Sequence, residues 1–153
     1  MTQITATESA SIDVPAGLVL EIIRDFDGHH RHILPSAFSD FRVVEGGVGA
    51  GTVTSFTMTL GGRATPGRTV VSEPEPGVVR EDVVGTDMVT RFGVVPDGTG
   101  AHVTITTTWT PSGPVERLLA PALLRRVYRA ELRLLADYAR AIAGYRSAAL
   151  AGA

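Results

Sequence analysis

Two hydrophobic periods divide the chain. From Thr5 to Val14 small polar and apolar residues alternate, with β-branched side chains frequent, which predicts a first strand closed by Asp13 and Pro15. Val19, Ile22, Ile23 and Phe26 then recur at spacings of three and four, and Pro15 suits a first helical turn, so a short amphipathic helix follows. The segment DGHHRHILPSAFS, residues 27–39, carries a glycine, a proline and three clustered histidines; it reads as a loop with at most one further helical turn before Pro35.

Between Asp40 and Pro111 valine and threonine dominate, and turn clusters recur at short intervals. This predicts an antiparallel meander with strands near 39–45, 51–60, 67–73, 78–84, 87–95 and 101–110. In the last of these, His102, Thr104, Thr106 and Thr108 share one face. Val103, Ile105, Thr107 and Trp109 share the other, which should be the inner one. From Val115 to about Tyr145 the period is helical, with Pro121 expected to kink the helix or split off its first turn. At about 100° per residue, Leu124, Val127, Tyr128, Leu134, Leu135, Tyr138 and Ile142 gather on one arc. Arg125, Arg126, Arg129, Arg133 and Arg140 form an opposite face, read as solvated. Residues 148–153 read as a disordered tail after a single domain spanning 1–147.

The order is α+β: a seven-stranded antiparallel sheet that must bend around one long C-terminal helix, with short helical segments between strands 1 and 2. One helix cannot fill such a sheet. The space between them is therefore expected to be an apolar ligand cavity of several hundred cubic ångströms.

Composition narrows the function. Over 153 residues, 14 basic and 16 acidic side chains give a net charge of −2, which offers phosphate backbones and anionic lipids no general attraction. Nucleic acid is not an expected partner. All the cations are arginine, so lysine Schiff-base and P-loop chemistry are excluded, and the absence of cysteine excludes disulfides, thiolate nucleophiles and cysteine metal sites. The N-terminal stretch has no secretory pattern and no run is apolar enough to insert in a membrane, so a cytoplasmic location is expected. The glycines of GGVGAG and LGG lack a strand-to-helix context and read as hairpin turns rather than a nucleotide site.

Among the candidate chemical groups Glu131 makes the sharpest demand, because its helical phase lies within roughly 20° of Leu124 and Leu135, amid the apolar arc. Such a carboxylate must be paired or neutral. Two readings stand: an ion pair to an inward arginine of the sheet such as Arg68 or Arg91, or a cavity acid or base assisted by Tyr128 or His32. Glu81, in phase with Val79 and Val83, would face Glu131 as a second carboxyl if its strand turns that face inward. Phe56, Met58, Glu81, Phe92, Trp109, Leu124 and Leu135 are the expected ligand-lining set. His29, His30 and His32 sit too close together on a loop to converge on one ion, and Arg31 repels a cation, so a lid is the functional role weighed for them and neither metal nor cofactor is expected.

Several segments carry a resemblance: HHRHILPSAFSDFRVVEGGVGAGT, VSEPEPGVV, PDGTGAHVTITTTW and ERLLAPALLRRVYRAELRLLADYA, in this element order and over nearly the whole chain. Together they resemble the START-like superfamily, also called helix-grip, Bet v 1-like or SRPBCC, and within it the bacterial polyketide cyclase/dehydrase-like members. The resemblance implies a helix-grip fold with a hydrophobic cavity. Activities in that superfamily range from lipid and hormone binding to aromatic polyketide cyclisation. The implied partner is a small hydrophobic, oxygenated ligand, polyketide- or lipid-like, bound by a monomer or homodimer. Against a cyclase or dehydrase stands a non-enzymatic carrier or sensor, or an interaction module of the Hsp90-activator kind.

Overall fold

Alternation along each strand decides which residues turn inward. In the computed structural model, which describes residues 2–152, the chain runs β1 (Ile4–Ile12), α1 (Ala16–Arg24), a single 3-10 turn (His30–His32), β2 (Phe38–Glu45), β3 (Val53–Leu60), β4 (Arg63–Ser72), β5 (Val78–Val83), β6 (Val89–Asp97), β7 (Gly100–Trp109) and α2 (Pro114–Ala151). The seven strands form one antiparallel sheet in the order β1-β7-β6-β5-β4-β3-β2. The meander is thus sequential and β1 joins its far edge. In β7 the valine, isoleucine and tryptophan face is buried, and Ala6 and Ile12 of β1, opposite Thr107 and Ala101, are buried on the same side, as the alternation predicts.

Local chemistry sets the turns. Leu60 pairs with Arg63 across the two-residue loop Gly61–Gly62, whose φ values of 58° and 79° need glycine and suit a hairpin of the type I′ kind. That tip reaches α2, where a Cβ on Gly61 would lie 3.3 Å from Leu123. In β2 the register shifts between Ser39 and Arg42, with Asp40 at φ 54°. The bulge lets two aromatics three residues apart serve one side: Phe38 meets the Phe56 ring at 5.6 Å and Phe41 meets His30 at 6.2 Å.

β4 begins at Arg63 rather than near residue 67, because pairing with β3 carries the strand through what composition marks as a turn cluster. α2 continues through Pro121 as one helix, so the first turn is not split off. The bond Pro121 cannot donate is offset by burial of Ala120 and Leu124 on either side of it. The helix also runs on through the expected tail as far as Ala151, since SAALA is rich in the best helix former. Its buried face is Ala120, Leu124, Tyr128, Glu131, Leu132, Leu135 and Ala139, whereas Leu134, placed inward by the wheel, lies at the arc's edge and is 38% exposed.

The arginine face is only partly solvated. Arg129 bonds Glu8 of β1 at 3.0 Å, Arg140 bonds Asp13 at 2.7 Å, and Arg146 chelates Glu21 of α1. Exposed pairs of this kind add little stability, but they tie α2 along β1. The backbone of α2 runs closest to β1, while α1 packs on β6 and β7. The concave face is therefore covered unevenly: Val103, Ile105 and Phe92 are fully enclosed, and Phe56, Met58, Leu60, Glu81 and Val83 of β3 and β5 are half-buried.

Candidate functional site

Five neighbouring strands each turn a polar side chain to the concave face, and the register lines them up. Thr54 pairs with Thr69, Glu81 with Thr90, and Thr90 with Thr107, so a strip of hydroxyls and one carboxyl crosses β3 to β7. Thr54 and Thr69 share a hydrogen bond of 2.6 Å, and Thr90 and Thr107 one of 2.7 Å. From α2 the Tyr128 hydroxyl joins Thr107 through a short hydrogen bond. Glu81 stands between the two hydroxyl pairs, where the Thr69 hydroxyl favours its charged form.

Glu131 completes the strip from the helix side. It is 2% exposed, and its Oε2 is buried with no hydrogen-bond partner among the described residues. Burial first, and the Glu81 charge second, push its pKa well above the ordinary carboxylate range. Glu81 keeps some solvent access as a residue, yet its carboxyl is enclosed enough that burial raises its pKa to about 7. Tyr128 is pushed up to about 12, again mainly by burial. The two carboxyls thus hold protons at pH values where free glutamates have lost them, and no cation among the described residues balances them.

An ion pair from Glu131 to Arg68 or Arg91 does not form. Both arginines are exposed, because each precedes an inward residue, Thr69 or Phe92, and the two-residue period sends it to the convex face. His32 also stays away from Glu131 and Tyr128. It is exposed and stacks on Tyr138 at 5.3 Å, two turns further along α2. His29 donates to or accepts from the Tyr138 hydroxyl at 2.7 Å, so the loop is latched to α2 at that end. His30 instead enters the core, with Nδ1 2.6 Å from the Ile23 carbonyl and its ring 4.4 Å from Phe26; burial lowers its pKa to about 4. The three histidines have three separate fates. Among the described residues no metal-ligating cluster forms.

The lining set divides along the same boundary as the sheet. Phe56, Met58 and Glu81 sit on the partly accessible half of the concave face, whereas Phe92, Trp109, Leu124 and Leu135 are at most 3% exposed and belong to the packed core. Trp109 is fixed there by donating its indole N–H to Glu116 at 2.9 Å. Two surface concavities lie away from the space between helix and sheet, the expected place of an enclosed cavity. One, of about 400 Å³, is bounded by Ser11, Asp13, Thr99 and Arg140 at the β6–β7 turn; the other, of about 490 Å³, by Asp40, Arg42, Ser55 and Pro66 beside the β2 bulge. Under α2 the inward Phe56, Met58, Leu60, Glu81 and Val83 stay half-buried, so the concave face keeps some solvent access there, a trough along β3–β5. Sequence reasoning missed Thr54, Thr69 and Thr90; their inward parity was the available signal, masked because threonine is ordinary on a strand's wet face.

Comparison with known proteins places this geometry. A family model described as polyketide cyclase / dehydrase and lipid transport matches residues 3–140. No curated protein matches the chain. Among solved structures, the KanY protein is 32% identical, with a TM-score of 0.82 over 92% of this chain and 99% of its own. The Zhui aromatase/cyclase from Streptomyces sp. R1128 superposes with a TM-score of 0.73 at 16% identity, over 91% of this chain and 94% of its own. Norcoclaurine synthase from Thalictrum flavum, in complex with a transition-state analogue, gives 0.71 at 13% identity, over 90% of this chain and 94% of its own. At such identities the last two speak for the fold alone, a bent seven-stranded sheet gripping a long C-terminal helix. With the family model spanning residues 3–140 and the helix-grip architecture in place, the chain belongs to the polyketide cyclase/dehydrase and lipid transport family of the START-like superfamily.

Proposed function

We propose that this protein binds a small apolar, oxygenated molecule, polyketide- or lipid-like, in the trough between β3–β5 and α2. The observation that carries this reading is the buried Glu131 Oε2 without a partner, close enough to feel the Glu81 charge, over a sheet face on which Phe56 and Met58 are half-buried. A fold does not keep an unsatisfied carboxyl under its main helix for stability, because the group costs free energy there unless something bonds it. An apolar ligand resting on Phe56 and Met58, with an oxygen directed at the strip, supplies that bond. The family's description and the cyclase among the structural likenesses support ligands of this class.

The same pair gives the site acid–base capacity. Glu81, with a pKa of about 7, can take a proton from a carbon beside a ligand carbonyl, while the protonated Glu131 donates to the carbonyl oxygen. Tyr128, held by Thr107, orients that oxygen. His32 has no part in this step. Native mass spectrometry of the purified protein tests the binding: a bound species of a few hundred daltons should appear under gentle ionisation and vanish on unfolding. Val127→Trp, which enlarges a half-buried side chain one turn beyond Leu123, where α2 meets the β3–β4 tip, should abolish it. Persistence of the species in that variant would place the ligand elsewhere.

A further inference from the structure

The charge arrangement around the strip says what kind of oxygen it accepts. The buried and half-buried inward polar side chains from β3 to β7 are hydroxyls and one carboxyl, Thr54, Thr69, Glu81, Thr90 and Thr107, faced from α2 by Tyr128 and Glu131. Arg42, Arg68, Arg80 and Arg91 of the sheet are displaced from those positions by one residue or by the β2 bulge, and Arg80 is held by Asp82 at 2.8 Å. Arg63 shares the inward parity, but it lies at the hairpin tip, where Glu116 feels its charge. His30, behind Phe92, is neutral at ordinary pH. No cation among the described residues reaches the strip.

We propose, building on the ligand-binding reading above, that the strip selects an uncharged hydroxyl or carbonyl group and bars carboxylates, so deprotonated fatty or aromatic acids are not ligands of this protein. A carboxylate placed beside Glu81 and Glu131 would be a third acid in one desolvated site, with no counter-ion to offset its burial. A protonated amine would force at least one of the carboxyls to ionise and leave both charges of the resulting pair desolvated under the helix. A hydroxyl or carbonyl needs only the single free lone pair or proton at Glu131 Oε2. The selection is by charge, built from parity alone.

Four matched probes separate the outcomes: naphthalene, 2-naphthol, 2-naphthoate and 2-(aminomethyl)naphthalene, titrated at about pH 7.5 and followed by the amide NMR signals of β3, β5 and α2. The proposal expects 2-naphthol to bind best and 2-naphthoate to bind at least about tenfold more weakly. Glu81→Gln and, separately, Glu131→Gln should narrow that gap to about threefold or less. Equal affinity for naphthol and naphthoate, tightest binding of the amine, or an unchanged gap in both variants would overturn it. Naphthalene binding as tightly as naphthol would remove the selection while leaving an apolar site in place. Absence of shifts with all four probes would overturn the ligand-binding reading itself.

Discussion

Glu131 concentrates the conflict between local and global demands. A carboxyl on the buried arc of α2, with Oε2 unpartnered, holds its proton well above the usual range, so the folded chain keeps a proton that the unfolded chain has released. A raised pKa of this kind favours the fold at acid pH, and the contribution is lost as pH climbs through the folded value. Glu131→Leu removes that loss and adds apolar contact beside Leu124 and Leu135. Its urea midpoint should therefore exceed that of the natural chain by an amount that grows from pH 5.5 to 8.5, reaching about 1–3 kcal/mol. A constant difference across that range would mean the carboxyl is ionised and satisfied. Tyr128→Phe addresses the neighbouring hydroxyl, which meets Thr107. Denaturation should show a loss of about 1 kcal/mol, since Thr107 keeps its bond to Thr90.

At the level of elements, close packing across β3 and β4 sets the trough's floor. Gly67 lies opposite Phe56, and a Cβ there would come within 2.8 Å of the ring. Gly67→Ala must push Phe56 out of its seat against Phe38, and a thermal melt should register a loss of about 1–3 kcal/mol. An unchanged melting temperature would show that the ring moves freely. The last turns of α2 behave differently. Residues 144–152 are exposed, and Arg146 with Glu21 is a surface pair. Ending the chain after Gly144 should leave the urea midpoint close to that of the full chain; a large drop would reveal packing there that the structure does not show.

For the whole molecule, buried titratable groups pull stability in opposite directions with pH. His30, with its pKa lowered to about 4, stabilises the fold above the unfolded histidine value, and this is lost as pH falls. Glu81, raised to about 7, contributes below the unfolded glutamate value and is lost as pH rises through 7. Between about 4.5 and 6.5 the two oppose each other, and above about 6.5 only the carboxyls act. Denaturation midpoints should accordingly decline from about pH 6.5 to 8; a rise over that interval would contradict the enclosed, unpaired state of the carboxyls. The sequence by itself determined the element order, the face of β7 that carries Trp109, and the placing of Glu131 among leucines, because each follows from a two- or 3.6-residue period confined to one element. Tertiary structure decided the rest. Whether Glu81 meets Glu131, that Arg68 and Arg91 do not, that His32 stacks on Tyr138 while His30 enters the core, and that α2 leans on β1 and leaves β3–β5 partly uncovered, all depend on strand register and helix position. Those are relations between segments far apart in the chain, and no local period encodes them.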